Sequence, residues 1–218
     1  VPTVHIGIIE KGSKKKMWNG INVGTGDLSE SWNREAGSKV SLYTYTNGDE
    51  VELLVNGKSL GKKPNSTTPE RRNRIEWKDV TYEPGYIEAV AYKNGKMIAR
   101  HKLETTGNAV ALKAIADQEK WHADGKDLLH VRILAVDKKG RRVWDAGDKL
   151  RFSVSGDASI VAVDNGFIAS DELTTGNERS LFQGSALVIL RAGTKPSKVT
   201  LTVESDKYKT QQLKVNTL

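Results

Sequence analysis

The chain contains 218 residues, of which 37% are hydrophobic and 28% are charged, and it carries a formal net charge of +7. This length provides for one large domain or two of ordinary size, and the absence of cysteine excludes disulfides, thiolate zinc sites and cysteine nucleophiles. No apolar run reaches the roughly 18 residues needed to span a bilayer, so we expect no membrane insertion.

The chain opens on Val1–Thr3, with neither an initiator Met nor a charged-then-apolar leader. Such a start is typical of a piece of a longer chain. Glycine, serine and lysine dominate the segment at about 10–30, which predicts a loop-rich insert.

Much of the positive charge lies in two short clusters, Lys14–Lys16 and Arg71–Arg74. Both lie among Gly, Ser, Pro and Asn and are predicted to be solvated loops, with attraction to an acidic glycan or nucleic acid as the alternative. A nucleic-acid surface would need basic residues spread along one element with stacking aromatics between them. We therefore expect no nucleic-acid partner.

Apolar residues recur with a period of two almost throughout, as in strands with one buried and one solvated face. Asn-Gly pairs predict hairpins at residues 51–60 and 89–98. Further alternating strands follow at 150–154 and 199–203, and residues 186–192 are apolar on both faces, which is typical of a central strand. No stretch shows a 3.6-residue period with caps.

A domain boundary is predicted near Thr105–Asn108, where one strand ends and another begins. The two halves, 1–107 and 108–218, each have the length of one immunoglobulin-like domain, and short strands with turns at regular spacing indicate a sandwich. The predicted fold is all-β, with two tandem immunoglobulin-like antiparallel β-sandwiches.

Two blocks of sequence carry a family resemblance. The first contains Val51–Lys63 (VELLVNGKSLGKK) and Tyr82–Gly85, and the second contains Val163–Gly166 and Phe182–Gly184. Together the blocks resemble the C-terminal accessory domains that follow the catalytic barrel in family 2 glycoside hydrolases of the β-galactosidase kind. The second block is also similar to bacterial invasin-type modules.

The resemblance implies a non-catalytic region whose partner is the catalytic barrel of the same parent chain. The parent would hydrolyse a terminal β-linked sugar in a bacterial periplasm or outside the cell. Two alternatives remain open, namely a carbohydrate-binding module that holds polysaccharide and an adhesin-like surface protein fragment.

Retaining glycosidases use two carboxylates about 5–5.5 Å apart, and the resemblance implies that both lie on the absent barrel. Asn177-Glu178 matches the dipeptide that carries the acid/base in such enzymes, but it lies in a predicted loop without an implied partner. We therefore expect no catalytic residue in this chain.

The histidines show no metal-ligand spacing, although His122 and His130 could meet across strands. The other two, His5 and His101, are distant from them and from each other in sequence. Surface or packed histidines are expected, with no metal site and no cofactor.

Trp121 and Trp144 are the candidate carbohydrate-binding residues. Each adjoins a polar loop, His122–Gly125 or Asp145–Asp148, and an exposed aromatic ring pairs well with the apolar face of a sugar. Packing against a neighbouring domain is the favoured alternative, because tryptophan is costly to leave in water. Trp77 lies in an alternating strand and is predicted to be a core residue.

Overall fold

The computed structural model describes residues 1–10, 17–18, 21–22, 28–66, 68 and 73–218. Regular structure within these ranges is entirely β-strand, which confirms the all-β prediction, and they contain no helix long and apolar enough to cross a membrane. Most of the predicted insert, including Lys14–Lys16, lies outside the described residues, as do Arg71 and Arg72.

The chain divides into two compact units, Val1–Thr105 and Thr106–Leu218. The division falls two residues before the boundary predicted from sequence. Each unit contains two four-stranded sheets, and the named strands pair antiparallel throughout.

The part of the first unit that the structure describes contains ten strands. They are β1 (Val4–Ile9), β2 (Met17–Trp18), β3 (Ile21–Asn22), β4 (Leu28–Ser29), β5 (Lys39–Thr46), β6 (Glu50–Val55), β7 (Lys58–Pro64), β8 (Arg74–Thr81), β9 (Tyr86–Lys93) and β10 (Lys96–Glu104). One sheet has the order β4-β1-β5-β8, the other has the order β10-β9-β6-β7, and β2 pairs with β3.

Both predicted hairpins are present, joining β6 to β7 and β9 to β10. Their turn residues have positive φ, 49° and 82° at Asn56 and Gly57 and 50° and 72° at Asn94 and Gly95. Such angles suit the right-handed twist of the flanking strands, and Asn and Gly adopt them at the least steric cost. The Asn-Gly signal therefore located both turns correctly.

Alternating residues of the two sheets form the core of the first unit. Along β6 the residues Val51, Leu53 and Val55 are buried, as the period of two predicts. Trp77 is 3% exposed, which confirms its predicted place in the core. Its indole Nε1 donates to Thr44 Oγ1 at 3.0 Å, so the polar end of the ring is satisfied inside the sandwich.

The second unit contains eight strands. They are β11 (Ala111–Ala116), β12 (Leu128–Val136), β13 (Lys149–Ser155), β14 (Ala158–Asp164), β15 (Glu178–Ser180), β16 (Ser185–Ala192), β17 (Lys198–Glu204) and β18 (Gln211–Asn216). The sheet orders are β11-β12-β16-β14 and β15-β13-β17-β18. As predicted from its apolar composition, β16 is a central strand.

A buried carboxylate, Asp137, fixes the turn after β12. It accepts hydrogen bonds from the guanidinium of Arg141 at 2.6 and 3.0 Å and from the backbone N–H groups of Gly107, Lys139 and Arg141. Burial acts to raise the pKa of Asp137, but these hydrogen bonds outweigh it and hold the pKa well below its usual range. The carboxylate therefore stays charged and ties the start of the unit to the turn.

Candidate interaction sites

Trp121 is buried, which opposes its candidacy for sugar binding and agrees with burial of the ring, although the ring packs in the core of its own unit rather than against a neighbouring domain. The side chain is 1% exposed and its indole Nε1 donates to the Asp127 carbonyl at 3.1 Å. The polar residues that suggested exposure form hydrogen bonds among themselves, because Asp124 accepts from Lys126 and Asp127 N–H while Asp127 accepts from His122 N–H. The ring faces the core and has no free face for a sugar.

Trp144 is half-buried and remains the accessible one of the two candidates. The Arg142 guanidinium lies 4.2 Å from the centre of its ring, and Arg142 Nε donates to the Gln183 carbonyl at 2.9 Å. One face of the indole is thus covered by a fixed cation. Sugar binding by Trp144 stays a prediction.

Exposed apolar side chains are concentrated in the loop between β14 and β15. Phe167 is 45% exposed, Leu173 76% and Ile168 completely exposed. Phe167 stacks on Phe182 with ring centres 4.8 Å apart and an interplanar angle of 23°. A sugar platform needs aromatic faces presented side by side, whereas these rings face each other, so the loop is better suited to contact a protein surface.

Arg179 holds this loop in place from the interior of the second unit. It is 2% exposed and donates to the Glu172 carbonyl at 2.8 Å, to Asn165 Oδ1 at 3.0 Å and to Asp164 Oδ1 at 3.1 Å. A buried guanidinium needs such partners, because an unpaired one would pay a large desolvation penalty. The exposed apolar residues are therefore carried by an anchored loop.

The sequence predicted a loop at Glu178, but this residue is the first of strand β15. Its carboxylate pairs with Lys149 Nζ at 2.7 Å, and Glu172 lines the same shallow cavity of about 300 Å³. Burial acts to raise the pKa of Glu172, but hydrogen bonds from the Ser180 O–H and N–H outweigh it and lower the pKa. A glycosidase acid needs a raised pKa, and the pKa of Glu172 is shifted in the opposite direction.

Two histidines that the sequence left apart meet on the side of the first unit. His5 on β1 and His101 on β10 stack with ring centres 4.4 Å apart, and His5 Nε2 lies 2.9 Å from Glu30 Oε1. One potential ligand atom from each of the three residues lies within 4.8 Å of the others. Their separation in sequence concealed this proximity, and the expectation of no metal site stays a prediction.

Hydrogen bonding in the cluster opposes metal ligation. The N–H of Ile6 donates to His101 Nδ1 at 3.1 Å, so a neutral His101 carries its proton on Nε2 and offers no lone pair there. Stacked rings also direct their nitrogen lone pairs side by side rather than toward a common point. The geometry suits a hydrogen-bonded bridge between β1 and β10.

The two imidazoles have opposite pKa shifts. The hydrogen bond to Glu30 raises the pKa of His5, against the effect of burial. Burial lowers the pKa of His101, and the neighbouring His5 lowers it further. His5 therefore keeps its proton to higher pH than His101 does. The sequence suggested that His130 could meet His122. In the structure, His130 Nδ1 lies 3.0 Å from Asp117 Oδ2.

A basic cleft of about 580 Å³ lies along β8, the edge strand of one sheet, beside β7, the edge strand of the other. Its lining includes Tyr43, Lys63, Ser66, Arg74, Glu76 and Lys78. Of these lining cations, the sequence analysis had marked Arg74 alone, as part of the Arg71–Arg74 cluster. Concavity was not predictable, because the cleft joins residues from three separate strands.

Comparisons with known proteins agree with the all-β fold. Residues 112–214 match the family model described as glycoside hydrolase family 2 C-terminal domain 5, and residues 37–99 match a domain of unknown function (DUF4982). Beta-galactosidase BoGH2A of Bacteroides ovatus is 34% identical over 190 residues, covering 87% of this chain and 22% of that protein.

Two further matches point the same way. A beta-glucuronidase of Formosa agariphila is 35% identical over 129 residues, covering 58% of this chain and 13% of that protein. A solved family 2 glycosyl hydrolase from Bacteroides cellulosilyticus superimposes with a TM-score of 0.86 at 28% identity, covering 100% of this chain and 28% of that one. The chain thus spans about a quarter or less of the relatives that it matches.

Proposed function

The chain belongs to the C-terminal accessory region of family 2 glycoside hydrolases, and on that basis we propose that its two sandwiches brace the catalytic barrel of a larger enzyme. The observation that carries this proposal is the match of residues 112–214 to a family 2 C-terminal domain, in a chain that spans 22% of one matched relative. Each unit has its own hydrophobic core. Two described carboxylates that line one cavity, Glu172 and Glu178, are paired with Ser180 and Lys149 respectively.

The chemistry would then belong to a barrel elsewhere in the parent. A (β/α)₈ barrel needs about 250 residues and alternating helices, which the described strands do not provide. The matched relatives carry the names β-galactosidase and β-glucuronidase, and we propose that the parent hydrolyses a terminal β-linked sugar. Its sugar preference would be decided by barrel loops rather than by this chain. A periplasmic or exported bacterial setting is part of the same proposal.

The surface proposed to contact the remainder of the parent is the exposed apolar loop, defined as Phe167, Ile168 and Leu173. Three large apolar side chains within seven residues are costly to leave in water. The buried Arg179 holds the loop in place through a hydrogen bond to the Glu172 carbonyl. Burial of the loop against a partner therefore costs little additional conformational entropy.

The test places a charge on this loop in the full-length parent. Ile168→Asp and Leu173→Asp are expected to lower the melting temperature of the parent, because each buries an unpaired carboxylate at the contact. Val110→Asp is the matched control, since Val110 is 45% exposed in the same unit but lies outside the loop. Equal melting temperatures for all three variants and the wild type would refute the proposed contact.

A further inference from the structure

The cleft between β7 and β8 concentrates positive charge around one carboxylate. Lys63, Arg74 and Lys78 supply three cations, and Glu76 is the acidic member of the lining. Lys78 Nζ lies 3.6 Å from Glu76 Oε2, and both side chains are largely exposed. An exposed pair at that distance neutralises little of the local field, and cations outnumber carboxylates by three to one in the described lining.

Two of these cations are held in position by aromatic rings. Lys63 Nζ lies 4.5 Å from the centre of the Trp77 ring and donates to the Glu76 carbonyl at 2.9 Å. The Arg74 guanidinium lies 4.9 Å from the centre of the Tyr43 ring, which is 7% exposed. Fixed cations lose less conformational entropy on binding an anion than free surface lysines do.

The cleft also contains side chains that can form hydrogen bonds with the hydroxyl groups of a ligand. The Ser66 hydroxyl and the Glu76 carboxylate line it together with the cations. A guanidinium pairs with a carboxylate through two parallel hydrogen bonds, and a carboxylate such as Glu76 accepts from O–H groups. The volume of about 580 Å³ lies within the range of ligand pockets, about 300–1,000 Å³.

We propose that this cleft binds a uronic acid unit of an acidic polysaccharide. The sugar carboxylate pairs with Arg74 and Lys78, while ring hydroxyls contact Ser66 and Glu76. A nucleic acid fits less well, because the Tyr43 face is covered by Arg74 and no base can stack on it. This site does not depend on the bracing role.

A structural role for the lysines makes a different prediction. Lysine on an edge strand prevents sheets from pairing edge to edge, and this would explain Lys63 and Lys78 without any ligand. Under that explanation the cations act only as general positive charge. Replacing them would then change polyanion binding no more than replacing lysines elsewhere.

The experiment is affinity electrophoresis of the 218-residue chain through gels containing polygalacturonate, dextran or dextran sulfate, at about 0.1 M NaCl, where the screening length is about 10 Å. Polygalacturonate is expected to retard the protein and dextran to leave it unaffected. Arg74→Gln and Lys78→Gln should each weaken the retardation by about tenfold, the effect of losing one charged hydrogen bond.

The controls are Lys113→Gln and Lys214→Gln, which make the same charge change on exposed positions of the second unit. They should leave retardation unchanged. Lys78 is the safer test position because 68% of its side chain is exposed, and thermal melting checks that Arg74→Gln still folds. Absence of retardation, equal loss in the controls, or equally strong retardation by dextran sulfate would each overturn the proposal.

Discussion

At the scale of single residues, the stacked histidines link the stability of the first unit to pH. The raised pKa of His5 means that its contribution is complete below the unfolded value of about 6.5 and is lost as pH rises through the folded pKa. The lowered pKa of His101 gives the opposite dependence, complete above about 6.5 and lost as pH falls. Both contributions coexist only near pH 6.5.

Urea unfolding at pH 5, 6.5 and 8 tests this linkage. The quantity compared is the free energy of unfolding of the wild type minus that of each variant. His101→Gln, which keeps a hydrogen-bond acceptor for Ile6 N–H, should remove the loss of stability on the acid side. His5→Gln should remove the loss on the alkaline side. If the free energies of unfolding of both variants parallel that of the wild type across the range, the histidines do not control the pH dependence.

The two candidate tryptophans should respond differently to truncation. Trp121→Ala is expected to cost about 3–5 kcal/mol of unfolding free energy, because it leaves a cavity in the core of the second unit. Trp144→Ala should cost less, since its ring is half-buried and loses mainly the contact with Arg142. Chemical denaturation of both variants makes the comparison, and a larger loss at Trp144 would contradict the assigned burial.

At the scale of elements, Asn56 connects two turns that the sequence presented separately. Beyond its place in the β6–β7 turn, its side chain accepts from Tyr86 N–H at 2.8 Å and donates to the Pro84 carbonyl at 3.1 Å. Gly85 has φ of 134°, and a Cβ there would lie 2.0 Å from Asn56 Oδ1. Glycine is therefore required at the point where the second turn passes this side chain.

Replacing Asn56 should cost more than replacing the equivalent residue of the other hairpin. Asn94 has nearly the same φ, 50° against 49°, so Asn94→Ala measures the conformational cost of the turn alone. Asn56→Ala also removes the two side-chain hydrogen bonds, and we expect a further loss of about 1–2 kcal/mol. Equal destabilisation in thermal unfolding would show that the link between the turns adds nothing.

These elements show which parts of the structure local sequence determines. Hairpins and alternating strands follow from patterns of a few residues, and the predictions at Asn56, Asn94 and Trp77 were confirmed. Trp121 was a candidate for exposure, but its polar neighbours form hydrogen bonds with one another rather than with solvent. The pattern of residue types around a tryptophan does not reveal which way its side chain points.

Local sequence patterns could not predict contacts between strands that are distant along the chain. His5 and His101 come together because the first and last strands of the unit approach each other on one side of the sandwich. The cleft beside β7 and β8 likewise requires the arrangement of two sheets. In both places the residue types were visible in sequence, while their proximity depends on topology.

At the scale of the whole molecule, membership of an accessory region accounts for the absence of a glycosidase pair among the described carboxylates. The chain spans 22% of one relative and 28% of a solved structure that it matches. Its two units have separate cores, and we propose that they stabilise the remainder of the parent without taking part in its reaction. The account predicts a division between chemistry in the barrel and stability in these sandwiches.

The most direct test compares three proteins: the full-length parent, the parent from which this 218-residue region has been deleted, and this chain alone. Each is assayed for hydrolysis of p-nitrophenyl β-galactoside and p-nitrophenyl β-glucuronide. The parent should hydrolyse one of these substrates, and the isolated chain should hydrolyse neither. The truncated parent still contains the catalytic carboxylates, but its melting temperature should be lower than that of the full-length parent. Hydrolysis by the isolated chain would place the active site here. A truncated parent with unchanged melting temperature and activity would contradict the bracing role.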